Sequence, residues 1–214
     1  MTRIISPSAV FILLLGCLFL LPSISTAQAQ RFKAGVMLGF NASQIDGDEL
    51  WGYNKAGLSL GARFLAIITP RIDLSMDMLY SQRGSQSQFS LDNSQLLNRY
   101  NLHYVEVPII LHFKDWIGVT TEDEQFYRVE ANAGLAYSRL IRARMSGNAF
   151  EGREDLLNQN DFSWLIGIGY HASPNHSFHV RYTDSINKLF DDQEALNTRN
   201  LRGYFLTLHY IYTF

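Results

Sequence analysis

The sequence predicts an all-β fold, an eight-stranded antiparallel up-and-down transmembrane β-barrel. Apolar and polar residues alternate with a period of two in eight segments after residue 30, as they do in strands with two different faces. The connections between these segments are alternately long and short, and the chain ends in an aromatic residue, Phe214. Together these observations are typical of barrels that cross a bacterial outer membrane.

The first 29 residues are predicted to be an export signal peptide. Arg3 supplies a positive charge, residues 10–21 form an apolar run, and Ala27-Gln28-Ala29 has the pattern of a cleavage site. An uncleaved anchor helix is the weaker alternative, because the run is shorter than the roughly 20 residues that such a helix needs. We therefore expect a signal peptide over residues 1–29 and one barrel domain over residues 30–214.

Composition excludes several classes of site from that domain. Cys17 is the only cysteine of the chain and lies in the signal segment, so disulfides, thiolate metal ligands and a cysteine nucleophile are not expected. Without Arg3 the chain has 17 basic and 20 acidic residues, and it has no basic tract. Nucleic acid is therefore not an expected partner.

The first four predicted strands span residues 32–43, 55–68, 72–83 and 102–113. In the first strand Phe32, Val36 and Phe40 share one parity, and Lys33 and Asn41 share the other. The second and third strands alternate in the same way. The fourth sets Val105, Val107 and Ile109 on the opposite parity to Glu106 and His112. This alternation predicts strands with one apolar face.

The other four predicted strands span residues 126–145, 162–172, a segment that begins at 177, and 204–214. The fifth places Val129 and Ala131 on the opposite parity to Arg128 and Glu130. The last strand, Tyr204 to Phe214, alternates up to its terminal aromatic residue, which resembles the C-terminal signal that is recognised when outer-membrane barrels are inserted. We therefore expect the outer-membrane assembly machinery as a partner, through this strand.

The connections divide the barrel into two rims. Long polar segments follow the odd-numbered strands, at residues 44–54, 84–101, 146–161 and 185–200. Tight turns at 69–71 and 173–175 follow strands two and six, and residues 114–125 form a connection longer than a minimal turn. An even number of strands leaves both termini on the rim with short turns, which faces the periplasm in this class of barrel.

Charge and glycine placement indicate that the apolar parity faces lipid. The exceptions on that parity, Arg139, Asp184 and Arg202, lie near the long connections, where a charge costs little. The opposite parity carries Lys33, Arg63, Asp73, Asp77, Glu106, Arg128, Glu130 and Arg181. It also carries glycines, which leave room for these side chains in a narrow lumen. A secreted, ligand-binding barrel with its apolar parity inside stays open as an alternative.

One strand carries a family resemblance. The motif Tyr104-Val105-Glu106-Val107-Pro108-Ile109 resembles a strand of the outer-membrane β-barrel family that includes PorT and is typical of Bacteroidota. Segments of the later strands and the terminal Phe214 are also similar. The resemblance implies an eight-stranded barrel, but it does not imply PorT's own role in protein secretion. Pro108 lacks a backbone donor, so a bulge or a local break is expected there.

The sequence contains candidate catalytic and metal-binding residues, but their spacing does not define a site. His103 precedes the fourth strand's centre, and no spacing ties it to the loop serines in a catalytic triad. Those serines are Ser85, Ser87, Ser90 and Ser94. His171 and His179 lie on the polar parity of one hairpin, where they are expected opposite each other, but no third metal ligand is evident. We therefore expect no catalytic, cofactor-binding or metal residues and no cofactor.

Two acidic loop tips complete the list of candidates. They are Asp46-Gly47-Asp48-Glu49 and Asp191-Asp192-Gln193-Glu194. Neither has the ligand spacing of a defined calcium loop, so solvated charge is the simpler interpretation, and weak binding of calcium or of a cation that bridges lipopolysaccharide is the alternative.

The predicted function is that of a non-enzymatic integral protein of a Gram-negative outer membrane. A filled polar lumen leaves no wide pore, so structural, adhesive, partner-binding or secretion-accessory roles fall to four long surface loops. The expected partners are outer-membrane lipids and lipopolysaccharide. The alternative from another class is a lipid-modifying enzyme, a hydrolase or acyltransferase that acts on lipid A or phospholipid.

Overall fold

A computed structural model describes residues 31–46, 55–86, 99–146, 157–189 and 202–214. These residues form eight strands: β1 (Phe32–Asp46), β2 (Lys55–Thr69), β3 (Ile72–Gln86), β4 (Arg99–Val119), β5 (Gln125–Ser146), β6 (Asn160–His171), β7 (His176–Ser185) and β8 (Arg202–Thr213). Each strand pairs with the next in antiparallel fashion, and β8 pairs with β1, so the sheet is a closed barrel. The predicted fold class is confirmed.

The predicted signal segment and the central parts of the four long connections lie outside the described residues. Within the described ranges, no helix is long and apolar enough to cross a membrane.

The predicted connection at residues 114–125 is wrong, because strand pairing continues into it. Lys114 pairs with Glu130 and Ile117 with Tyr127, which extends the β4–β5 hairpin beyond the neighbouring turns. The turn itself is closed by the Thr120 amide, which donates to the Glu124 carbonyl at 2.9 Å. Alternation is only weak between Lys114 and Val119, where Trp116 and Ile117 are adjacent apolar residues, but this segment contains no proline that would end the strand.

Pro108 interrupts the ladder between β3 and β4, as expected. Met76 pairs with Ile109 and Leu79 pairs with Glu106, and the positions between them are skipped while the register stays the same. The irregularity is therefore a local break rather than a bulge. A shift of register occurs elsewhere, in the β4–β5 ladder between His103 and Tyr104.

The apolar parity faces outward along the barrel. Phe32, Leu135 and Ile168 are among the most exposed large apolar side chains, with exposed fractions of 71%, 64% and 67%. The opposite parity is buried and polar, and it includes Arg63 and Asp77. An apolar outer belt around a polar interior is the arrangement that lipid requires. The alternative of a secreted barrel with its apolar parity inside is therefore wrong.

The lumen is closed by apolar side chains at the rim from which the long connections leave, called here the long-loop rim. Tyr100, Leu102 and Tyr104 of β4 pack with Ile45, Met145, Leu157 and Leu189 in one buried cluster. Leu157 and Leu189 come from the ends of long connections, which the Asn158 amide joins by donating to the Leu189 carbonyl at 2.8 Å. The inner face is therefore polar in its middle and apolar at this end.

Gly84 has a backbone conformation that other residues rarely adopt. Its φ is 143°, and a Cβ atom at this position would lie 2.0 Å from the carbonyl oxygen of Tyr100 on β4. A side chain here would force β3 and β4 apart at the long-loop rim. Glycine is therefore required by both the conformation and the close approach.

We expect Gly84→Ala to lower the free energy of unfolding by at least about 1–3 kcal/mol, because the variant is both strained and crowded. Gly203→Ala is the matched control, since its Cβ would meet no atom closer than 3.6 Å. Urea unfolding of the refolded barrel in detergent, followed by heat-modifiable migration, measures both variants. Equal stability of the two variants would contradict the structural role of Gly84.

Candidate functional site

The buried ionisable side chains of the lumen form three groups along the barrel axis. The group near the long-loop rim is centred on Arg83, the middle group on Asp77, and the group near the rim with short turns (the short-turn rim) on Glu130. The first two groups join strands from opposite sides of the barrel, and the third joins the consecutive strands β4 to β7. We call the three groups together the lumen network.

The group near the long-loop rim surrounds one guanidinium. Arg83 of β3 donates to Glu106 of β4, to Ser138 and, across the lumen at 3.0 Å, to Asp161 of β6. The guanidinium carbon also lies 4.0 Å from the centre of the Phe205 ring, in a cation–π contact. Two carboxylates and aromatic packing thus compensate the burial of this cation.

A cavity of about 30 Å³ lies between this group and the apolar cluster of the long-loop rim. Arg83, Asp161 and Tyr104 are among the residues that line it. The volume suits one or two water molecules.

The middle group blocks the lumen with a forked ion pair. Arg63 of β2 donates to both carboxylate oxygens of Asp77 on β3, at 2.8 and 2.9 Å. Arg181 of β7 donates to the same carboxylate from across the barrel at 3.2 Å. All three side chains are almost completely buried. Bidentate contacts of this kind fix geometry as well as charge, so the three side chains span the barrel interior.

The group near the short-turn rim gathers histidines around one carboxylate. Glu130 of β5 lies 2.8 Å from His112 Nδ1, 3.0 Å from His171 Nε2 and 3.1 Å from His179 Nδ1. The amide of Asn132 also donates to Glu130, at 3.1 Å. Close by, Lys114 Nζ pairs with the buried Asp73 at 2.7 Å. Histidines from three other strands therefore lie against Glu130.

Ser75, His112 and Glu130 have the connectivity of a catalytic triad. Ser75 Oγ lies 2.8 Å from His112 Nε2, and the other ring nitrogen of His112 lies 2.8 Å from Glu130 Oε1. A nucleophile, a base and an orienting carboxylate require this order of contacts. However, Ser75 is 1% exposed and His112 is completely buried, so a substrate has no route to the hydroxyl. These contacts provide hydrogen-bond partners for polar atoms that are buried in the lumen.

The serine and histidine candidates from the sequence are not brought together. His103 lies on the outer face of β4, where its Nδ1 is 2.5 Å from the Tyr80 hydroxyl. Ser85 is buried on the inner face of β3, on the other side of the sheet. Ser87, Ser90 and Ser94 lie outside the described residues. The described members of this set therefore do not form a triad.

The two candidate histidines of the β6–β7 hairpin are close but not opposite. His171 pairs with Ser177, whereas His179 pairs with Gly169, so the two rings meet diagonally with centres 5.8 Å apart. His179 is completely buried and the His171 side chain is 22% exposed, so only one of them is reached by solvent. The carboxylate of Glu130 lies against both, and the sequence alone did not single it out.

Of the acidic loop tips, residues 47–49 and 191–194 lie outside the described residues. The sequence interpretation of these tips as solvated charge therefore stays a prediction.

Ser75, His112 and Glu130 share the inward parity of three consecutive strands, and that parity was their only signal in the sequence. Their contacts depend on register: Ser75 pairs with Ile110, and His112 pairs with Asn132. The three side chains meet on diagonals across these pairs. The sequence alone does not give the register of the strands. It therefore cannot show which of the inward-facing residues contact one another.

The comparisons with known proteins agree with this architecture. The model of the family described as outer membrane protein beta-barrel domain matches residues 26–191. No curated protein matches the chain.

Several solved barrels are similar in fold. The Yersinia pestis attachment invasion locus protein Ail, solved with the heparin analogue sucrose octasulfate, is 12% identical; the match covers 86% of this chain and 99% of Ail, with a TM-score of 0.46. Neisserial surface protein A is 14% identical over 87% of this chain and 99% of that chain, with a TM-score of 0.44. The Pseudomonas aeruginosa protein OprG is 10% identical over 86% and 94%, with a TM-score of 0.40. At these identities the likeness carries no information about activity.

The family match covers most of the chain, including β1 to β7. Barrels of the outer membrane have an apolar outer belt, which contacts lipid, and a polar interior, as this chain does. The chain therefore belongs to the outer membrane protein beta-barrel domain family and is an outer-membrane β-barrel protein.

Proposed function

We propose that this protein is a non-enzymatic, closed barrel that holds four loops at the cell surface for structural, adhesive, partner-binding or secretion-accessory roles. The observation that carries the proposal is the blocked lumen. Arg63, Asp77 and Arg181 span its middle, and the apolar cluster of the long-loop rim covers one end. A lumen filled in this way leaves the surfaces and the loops to interact with other molecules.

Export and membership of the PorT-like group are parts of the same proposal. The charged start, apolar run and Ala27-Gln28-Ala29 pattern support a cleaved signal peptide. The motif around Glu106 and Pro108 supports a bacterium of the Bacteroidota as the source. The terminal Phe214 supports recognition by the outer-membrane assembly machinery, since this residue is exposed at the end of the closing strand pair.

We also propose lipopolysaccharide as a lipid partner, bound on the outer face of β5. Arg142 and Arg144 are exposed there near the long-loop rim, and Arg142 pairs with His103 of β4. Outward-facing guanidinium groups at this height meet the headgroups of the outer leaflet. Arginine binds phosphate through paired hydrogen bonds, and lipid A carries phosphate.

A lipid-modifying enzyme is the second candidate, and one observation favours it. Ser75, His112 and Glu130 have the contacts of a triad, as described above. Their burial in the lumen, away from the lipid face, opposes a catalytic role. The two proposals therefore predict different effects of removing the Ser75 hydroxyl.

The blocked lumen predicts that the refolded native barrel gives no stepwise ion conductance in planar lipid bilayers. A triple variant, Arg63→Ser, Asp77→Ser and Arg181→Ser, removes the whole middle group and leaves no unpaired charge behind, and it should still give no conductance steps because the apolar cluster of the long-loop rim covers one end of the lumen. Arg139→Ser changes an outward arginine and is the control. Stable conductance steps from the native barrel would overturn the proposal of a closed lumen.

We expect cells with and without the native protein to have the same lipid A and phospholipid acyl patterns, as measured by mass spectrometry. Ser75→Ala should leave these patterns unchanged, because the hydroxyl is inaccessible. Ser163→Ala is the control, since Ser163 is a buried lumen serine on another strand. An acyl pattern that changes with the native protein and reverts only in Ser75→Ala would establish the enzyme instead.

For lipopolysaccharide, the double variant Arg142→Gln and Arg144→Gln should bind the purified lipid up to about 30-fold more weakly than the native barrel, because exposed ion pairs contribute up to about 1 kcal/mol each. Arg71→Gln is the control, because Arg71 is exposed on the short-turn rim. The measurement is binding to barrels in detergent. The same affinity in the native barrel and the double variant would exclude this surface.

A further inference from the structure

We propose that Glu130, His171 and His179 bind a divalent transition metal, with Zn²⁺ as the expected ion, near the short-turn rim. The three residues come from the adjacent strands β5, β6 and β7. One ligand atom from each lies within 4.8 Å of the others. Two imidazoles and one carboxylate are a donor set that zinc uses when a fourth position is left for water. The proposal is independent of the proposed function.

The distances between the ligand atoms fit a small tetrahedral ion. His171 Nε2 lies 3.0 Å from Glu130 Oε2, and His179 Nδ1 lies 3.1 Å from Glu130 Oε1. Ligands bound to zinc at about 2.1 Å are separated by about 3.4 Å in a tetrahedron. The three ligand atoms lie within 4.8 Å of one another, so side-chain shifts of about 1 Å bring them to coordination distance.

The environment of His179 supports the presence of a cation between it and Glu130. Its Nδ1 atom is buried and has no hydrogen-bond partner, although a carboxylate oxygen is only 3.1 Å away. The other ring nitrogen, Nε2, lies 3.0 Å from Ser177 Oγ. If Nε2–H donates to Ser177, the lone pair of Nδ1 points at the carboxylate, and two acceptors face each other. A metal ion between the two atoms satisfies both.

A second layer of contacts holds the carboxylate in place. His112 and Asn132 hydrogen-bond to Glu130 Oε1 at 2.8 and 3.1 Å, and His112 is itself held by Ser75. The β6 backbone packs directly against the cluster, since a Cβ atom on Gly169 would lie 2.6 Å from Glu130 Cγ. Ligands fixed in this way bind metal with less loss of freedom.

Access is also suitable for a divalent ion. Of the nearby cations, Lys114 pairs with Asp73, whereas Arg63 and Arg181 share the one carboxylate of Asp77 and leave one surplus positive charge that the bound ion must tolerate. The His171 side chain is 22% exposed, so an ion has a route in from the short-turn rim. Nitrogen ligands with one carboxylate favour zinc over magnesium or calcium, which prefer oxygen.

The test is a titration of ZnCl₂ into the refolded full barrel in detergent, followed by calorimetry. We expect one ion per barrel, and we expect His171→Ala to weaken binding at least about 100-fold, since each second-layer contact alone contributes about 10–100-fold. His176→Ala is the matched control, because His176 is an exposed histidine at the start of β7 that contacts Tyr210 instead. It should bind like the native barrel.

A second measurement does not depend on variants. Co²⁺ bound to the native barrel should give the strong visible absorption of a four-coordinate site, and Zn²⁺ should remove it. The inference is overturned if the native barrel binds no Zn²⁺, if the Co²⁺ spectrum is that of a six-coordinate ion, or if His171→Ala binds as tightly as His176→Ala. Heat-modifiable migration shows that each variant is folded.

Discussion

The structure depends on the narrowness of an eight-stranded barrel, whose interior is only wide enough for side chains to fill. Every charge placed there loses its hydration and must find its partner within that space. Arg83 and Asp77 meet partners from strands across the barrel, and Glu130 meets His179 of β7, two strands away. The lumen network therefore braces the barrel from within, while lipid surrounds the outer belt. The side chains that link the strands across the interior also fill it. The contacts that stabilise the barrel therefore also block its lumen.

This arrangement separates the molecule into regions with different roles. The outer belt is apolar because it contacts lipid, and the charges of the lumen network are paired because they are buried. At the long-loop rim, an apolar cluster covers the end of the polar lumen. Chemistry that needs an incoming molecule has room only at the ends. At the long-loop end the apolar cluster covers the lumen, whereas at the short-turn end His171 is reached by solvent. Polar side chains of the lumen thus differ in their access to solvent according to their position along the barrel axis.

The sequence predicted the part of the fold that a period of two determines. Strand number, the direction of each face and the inward placement of Arg63, Asp77 and Glu130 follow from alternation alone. The extension of β4 to Val119 was missed, because a hairpin that projects beyond its neighbours has no marker apart from weak alternation. The contacts around Glu130 could not be predicted, since they require the register of three ladders at once. Alternation gives the face of a residue, and only register gives its neighbours.

The pairing of β1 with β8 has a consequence for the order of assembly. Its ladder joins Gly35, at the start of the barrel, to Thr213, the residue before the C-terminus. Contacts between such distant parts of a chain form late, because the intervening segment must be arranged first. β8 must therefore be made before the barrel can close, and until β1 and β8 pair, both have free edges that lipid cannot hydrogen-bond. A chain of this kind must be kept unfolded on its way to the membrane, and a copy that lacks its last strand is left with open edges on β1 and β7.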